Sequence, residues 1–101
     1  MEREVLKYEL PFMSIGQEIE VMLPQFYVMT DIEIQNRAIY LWAIVDRKAK
    51  QEPNKFITFG TGWPIDDISN YHFLKTIHHP EGLVLHVFRV ADNSDKDSPK
   101  F

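Results

Sequence analysis

The sequence contains no cysteine, which removes disulfide frameworks, thiolate zinc sites, iron–sulfur clusters and cysteine nucleophiles together and argues against a small stapled secreted scaffold. It has no apolar run long enough to span a bilayer, and its start, Met1-Glu2-Arg3-Glu4-Val5, mixes both charge signs. Neither a signal peptide nor a membrane segment is therefore expected, and the expected location is the cytoplasm. Basic residues are in deficit, 11 Lys and Arg against 15 Asp and Glu for a net charge of −4. A phosphate-tracking surface needs the opposite balance, so nucleic acid is not an expected partner. Proteins and small molecules remain.

What is present is apolar and aromatic: 45% hydrophobic residues with Phe 7, Tyr 4 and Trp 2 in 101 residues. That is enough for one core, and no second domain fits. Short apolar runs alternate with turn residues, and no stretch keeps the i, i+3, i+4, i+7 pattern of a long helix. The expected fold is all-β, about seven mostly antiparallel strands in a small sandwich or partly open barrel. Candidate strands are 4–10, 18–23, 27–35, 38–46, 55–61, 73–79 and 83–91, with Pro11, Pro24, Pro53, Pro64 and Pro80 between them or at their ends. Proline lacks the ladder donor, which supports that segmentation. Residues 1–91 form the expected domain, and the polar, aperiodic stretch 92–101 reads as a flexible tail.

Three connections carry turn chemistry. Gln35-Asn36-Arg37 predicts an antiparallel hairpin, because asparagine tolerates the positive φ of a tight turn. His79-Pro80-Glu81-Gly82 predicts a second, with Pro80 presetting φ and Gly82 taking the left-handed position. Residues 65–71 predict at most one short helical turn capped by Asp66 or Asp67. The polar, cationic segment 47–54 reads as a mobile loop. The run Ala38–Val45 is apolar on both parities, so it is either the centre of a sandwich or covered on one face by another subunit, in a homodimer or higher homo-oligomer.

Four segments in order, Lys7-Tyr8-Glu9-Leu10, Leu41-Trp42-Ala43-Ile44-Val45-Asp46, Phe59-Gly60-Thr61-Gly62-Trp63-Pro64-Ile65 and Gly82-Leu83-Val84-Leu85-His86-Val87-Phe88, resemble a family of small uncharacterised proteins found mainly in tailed bacteriophages and prophages. Family members often carry histidine where this chain has Trp63. The resemblance implies a compact β-rich domain encoded in a phage accessory region, and it implies no activity.

The residues with chemical potential are few. Gly60-Thr61-Gly62 after a strand can offer backbone N–H groups to an anion, but it lacks a third glycine, a Lys-Ser/Thr ending and a following helix; a bulge or strand exit packed by Trp63 and Pro64 is the plainer reading. Trp63 is either a stacking platform or a core edge. Arg47, Lys48, Lys50 and Lys55 either form a phosphate-facing patch or a solvated loop. If His79 pairs with Leu83, His78 and His86 share a face, yet a zinc site needs further ligands, with Asp66, Asp67 and His72 the only others in prospect. No metal and no cofactor is expected. No serine has the surroundings of a nucleophile, and Asp66-Asp67 reads as a cap rather than an acid–base pair. The protein is expected not to be an enzyme but a phage accessory protein that binds a host protein. The alternatives are sequestration of a small phosphorylated, nucleotide-type ligand by Gly60, Thr61, Gly62, Trp63 and the cations Arg47, Lys48, Lys50 and Lys55, and a minor structural role in the virion.

Overall fold

The computed structural model describes residues 2–12 and 14–91; the tail expected at 92–101 lies outside them. Seven strands form two sheets, β1 (Glu4–Leu10), β2 (Ile19–Pro24), β3 (Val28–Gln35), β4 (Ala38–Val45), β5 (Gln51–Gly60), β6 (Tyr71–His78) and β7 (Val84–Val90). One sheet has the order β1-β4-β3 and the other β2-β5-β7-β6, every pairing antiparallel. The class is all-β, as the periodicity predicts, and the architecture is a sandwich.

Period-two alternation makes each sheet two-faced. On β4, Ile39, Leu41, Ala43 and Val45 are buried while Tyr40, Trp42 and Ile44 face outward and stay half-buried. The inward set meets Leu23, Phe56, Ile77 and Val87 of the opposite sheet. Burying each such side chain contributes about 1.5–3 kcal/mol. The two-sided apolarity of Ala38–Val45 thus has one face in the core and one face open.

Two bulges adjust this alternation. In β3, Met29 opposes Ala43 and Asp31 opposes Trp42, so Thr30 is the extra residue. Without it Val28 would point inward with Ile32; with it Val28 turns out, opposite Ile44. In β6, Phe73 opposes Phe88 and Lys75 opposes Val87, leaving Leu74 as the extra residue. The change of parity turns Phe73 outward, while Lys75 keeps the inward parity of Ile77 at the sandwich edge, where its Nζ lies 2.5 Å from Asp31 Oδ1 and 2.7 Å from Glu33 Oε2 on β3.

The hairpins form as their turns predict. Asn36 and Arg37 have φ of 50° and 68°, the two left-handed residues of a type I′ turn joining β3 to β4. At the other, His79 N–H donates to the Leu83 carbonyl (2.8 Å) and Gly82 has φ 94°. The helical turn is a 3₁₀ turn at Ile68–Asn70, capped by Asp67, which accepts from Ser69 N–H.

The expected mobile loop at 47–54 is overturned. Asp46 accepts from Lys48 N–H through its side chain and from Ala49 N–H through its carbonyl, a compact turn. Strand β5 then starts at Gln51 and carries Pro53 within it, opposite Met22. Pro53 is compatible with a strand here because β7 pairs with β5 only at Phe56–Gly60, leaving one edge open at the proline. Elsewhere the strand limits move by one or two residues.

The second sheet also has an apolar outer face. Ile57, Phe59 and Phe88 are buried there beneath Ile65 and Tyr71 of the 61–71 segment. Their rings meet edge to face, Phe59–Tyr71 at 5.4 Å and Phe59–Phe88 at 5.6 Å between centroids, the arrangement that ring quadrupoles favour. Burial, aided by the hydrogen bond to Asp66, pushes the Tyr71 hydroxyl pKa up.

Candidate binding surface

The residues expected to form a phosphate site do not converge. Gly60, Thr61, Gly62 and Trp63 leave one end of β5, and Arg47, Lys48 and Lys50 precede its other end, with Lys55 between them opposite Glu20. Ten strand residues separate the two groups by about 33 Å. Lys55 is the nearest cation to the glycine turn in sequence, and it lies half the strand away.

Each group has local partners. Trp63 N–H donates to the Gly60 carbonyl (3.1 Å), a strand exit rather than an open anion cradle. Its indole lies on two glycines: a Cβ on Gly60 would fall 3.1 Å from Trp63 Cδ1 and Nε1, and one on Gly16 3.2 Å from Cζ3. The indole thus rests against both glycines while staying about half exposed. Arg47 pairs with Glu4, Nη2 to Oε1 at 3.0 Å, and the Lys50 carbonyl accepts from Gln25 N–H.

His78 and His86 do share the outer face of the second sheet, in the register expected of a His79–Leu83 pair. His86 is engaged on both ring nitrogens, Nδ1 with Thr76 Oγ1 and Nε2 with Thr61 Oγ1, each at 2.9 Å. Threonine hydroxyls both donate and accept, so they fix the imidazole in either tautomer. Among the described residues no group of three or more His, Asp or Glu is placed to hold a metal ion.

The surface that stands out is the outer face of β1-β4-β3. Across it Val5, Ile44 and Val28 form one cross-strand row and Lys7, Trp42 and Asp31 the next. Val5 and Val28 are more than half exposed, and Phe26, two residues before Val28, is 79% exposed. Lys7 stretches over the Tyr40 ring, Nζ 4.5 Å from its centroid, to Gln35. The long lysine stem covers the aromatic at that end and leaves the valine–isoleucine row bare. Asp46, Arg47 and Lys48 follow directly on β4, so the row has a mixed-charge rim of Glu4, Asp46, Arg47 and Lys48.

Phe26 is held in an uncommon backbone state, φ 64°, which for a bulky L-residue costs about 1–2 kcal/mol. Phe26 lies in the turn that carries the chain from β2 to β3, with its ring exposed. Sequence reading missed Val5, Phe26 and Val28. The two-sided apolarity of Ala38–Val45 is the signal that points to the face; nothing short of the bulge at Thr30 shows Val28 on it.

A family model described as Domain of unknown function (DUF7352) matches residues 1–97. No curated protein and no solved structure matches the chain.

Proposed function

Because the chain belongs to the DUF7352 family, whose description carries no activity, we propose from the geometry that it acts by non-covalent binding to another protein. The observation that carries this reading is the exposed row Val5–Ile44–Val28, with Trp42 in the next row and the strained, exposed Phe26 two residues before Val28. Apolar and aromatic residues at the centre with charged residues at the rim are the make-up of a protein–protein contact. The occupant is a different protein rather than a second copy. Three strands of seven or eight residues present roughly 350 Å² of sheet face, well under the about 800 Å² per partner that standard stable interfaces bury. A partner that wraps around the Phe26 corner gains area that a flat symmetric pairing does not.

The resemblance of the four ordered segments to phage accessory proteins supports a host protein as that partner and the host cytoplasm as the place. Among the described residues no helix is long and apolar enough to cross a membrane. Sequestration of a phosphorylated ligand by Trp63 and the cations is not favoured, since the two groups lie at opposite ends of β5.

A photo-crosslinking amino acid placed at Val28, with exposed Ile68 in the 3₁₀ turn before β6 as control, tests the proposal in cells. The expected result is a discrete adduct with one polypeptide from Val28 alone, whose binding in purified form is lost in Ile44→Glu. An adduct with a second copy of the chain, or equal labelling from both positions, would overturn it.

A further inference from the structure

At the other end of the sandwich the two sheets part around a cleft of about 370 Å³, between the β3–β4 hairpin, the end of β1 and the β6–β7 hairpin. Its walls are apolar, with Leu10, Phe12, Ile39 and Leu85 among them. That size and character lie within the range of small-ligand pockets. Three polar groups distinguish it from a packing defect.

The first is Thr58, the one buried polar residue among the described residues at 1% exposure. It lines the cleft, and its carbonyl is taken by Gly16 N–H. A valine would fill the same space without desolvating a hydroxyl. The second is Arg37, on the mouth, at φ 68° in the turn position where glycine is preferred,. The guanidinium therefore stands at a position of backbone strain, and it has no ion pair within the described structure. The third is His79, whose Nδ1 accepts from Glu81 N–H (3.1 Å). With Nδ1 an acceptor, the ring proton is on Nε2, a further donor on the lining. Glu9 is the only carboxylate on it.

From these placements we infer that the cleft binds a small organic acid with an apolar body, its carboxylate held by Arg37 at the mouth and a polar group at its far end hydrogen-bonded to Thr58. Arg37 supplies the planar two-donor fork that matches a carboxylate. The apolar walls take the body, and a distal hydroxyl on the ligand meets the Thr58 hydroxyl on the lining. This site is at the end of the sandwich opposite the Val5–Ile44–Val28 row, so it stands independently of the protein-binding proposal.

The test uses three probes on the full chain, followed by amide NMR titration: 3-phenylpropionate, its para-hydroxylated analogue, and the neutral 3-phenylpropanamide. Both acids are expected to shift the amides of Arg37, Thr58, His79 and Leu85 saturably, with the amide probe about tenfold weaker, as loss of a charged hydrogen bond predicts. Arg37→Gly places the preferred residue in the turn, so it keeps the fold, and it is expected to weaken both acids about tenfold and bring them level with the amide probe. The hydroxylated acid is expected to bind several-fold more tightly than its parent, an advantage that vanishes in Thr58→Val. Absence of saturable shifts in the millimolar range, or affinities indifferent to the carboxylate and to Arg37→Gly, would overturn the inference.

Discussion

Lys75 on β6 sets its ammonium 2.5 Å from the Asp31 carboxylate on β3, joining the edge of one sheet to the edge of the other. Glu33 completes the contact at 2.7 Å. The hydrogen bond from Lys75 holds the Asp31 carboxyl below its ordinary pKa, and the bonds to Asp31 and Glu33 raise that of Lys75. A depressed carboxylate stabilises the fold above its unfolded pKa, about 4, and the contribution fades as pH falls through the folded value; the raised lysine contributes below about 10.4 and fades as pH rises through its own. Both carboxylates are about half exposed, so the whole contact is expected to contribute only about 1 kcal/mol. Urea unfolding of Lys75→Met from pH 2 to 7 is expected to show a loss of that size at neutral pH and a shallower fall below pH 4 than in the unsubstituted chain. Parallel acid limbs would show that Lys75 does not set the Asp31 titration.

That edge contact also marks where sequence reasoning stops. The all-β class, the two hairpins, the cap by Asp67 and the shared face of His78 and His86 follow from local chemistry: alternation, proline placement, and residues that accept positive φ. The two bulges do not. An extra residue at Thr30 or Leu74 leaves the apolar count unchanged while reversing which parity faces the core, so Val28 and Phe73 occupy faces that strict alternation denies them. Pro53 misled for the opposite reason. It reads as a break, but β5 is unpaired on one side at that residue and absorbs it. The candidate surface needed the sheet pairing, because Val5, Ile44 and Val28 are far apart in sequence and meet only across β1-β4-β3.

The indole of Trp63 rests where side chains are missing at Gly60 and Gly16. Gly60→Ala puts a methyl group 3.1 Å from the ring and is expected to lift the indole toward solvent, shifting its Nε1–H resonance and costing about 1–2 kcal/mol in thermal unfolding. Gly62→Ala is the control. Gly62 has φ 87° but nothing within 4 Å of the added carbon, so a similar cost from backbone strain is expected with the indole resonance unmoved. If both substitutions leave that resonance in place, the ring is not held by the two glycines.

Asp67 holds the segment that covers the outer aromatic cluster. Its carboxylate accepts from both Ser69 N–H (3.0 Å) and Ser69 Oγ (2.7 Å), and its carbonyl accepts from Asn70 N–H, while the Asn70 carbonyl receives Ala91 N–H at 2.7 Å. Asp67→Ala is expected to cost about 1 kcal/mol and to act locally, since few core contacts depend on the turn. Native-state hydrogen exchange should quicken at Ser69, Asn70 and Ala91 while Leu41 and Val87 keep their protection. Uniform acceleration would instead make the turn part of the global unfolding unit.

Phe26 separates stability from binding. Its side chain is 79% exposed and its φ is 64°, so replacing it by glycine relieves a left-handed strain of about 1–2 kcal/mol against an entropic cost of about 0.5–1 kcal/mol, with little burial lost. Phe26→Gly is therefore expected to fold as well as the unsubstituted chain or slightly better, by up to about 1 kcal/mol in urea, while partner binding at the Val28 face falls at least tenfold, as truncating an aromatic anchor does. The two readouts decide together. A marked loss of stability would mean that Phe26 packs in solution and that the strain serves the fold; intact binding beside raised stability would remove Phe26 from the interface and leave the Val5–Ile44–Val28 row to carry it alone.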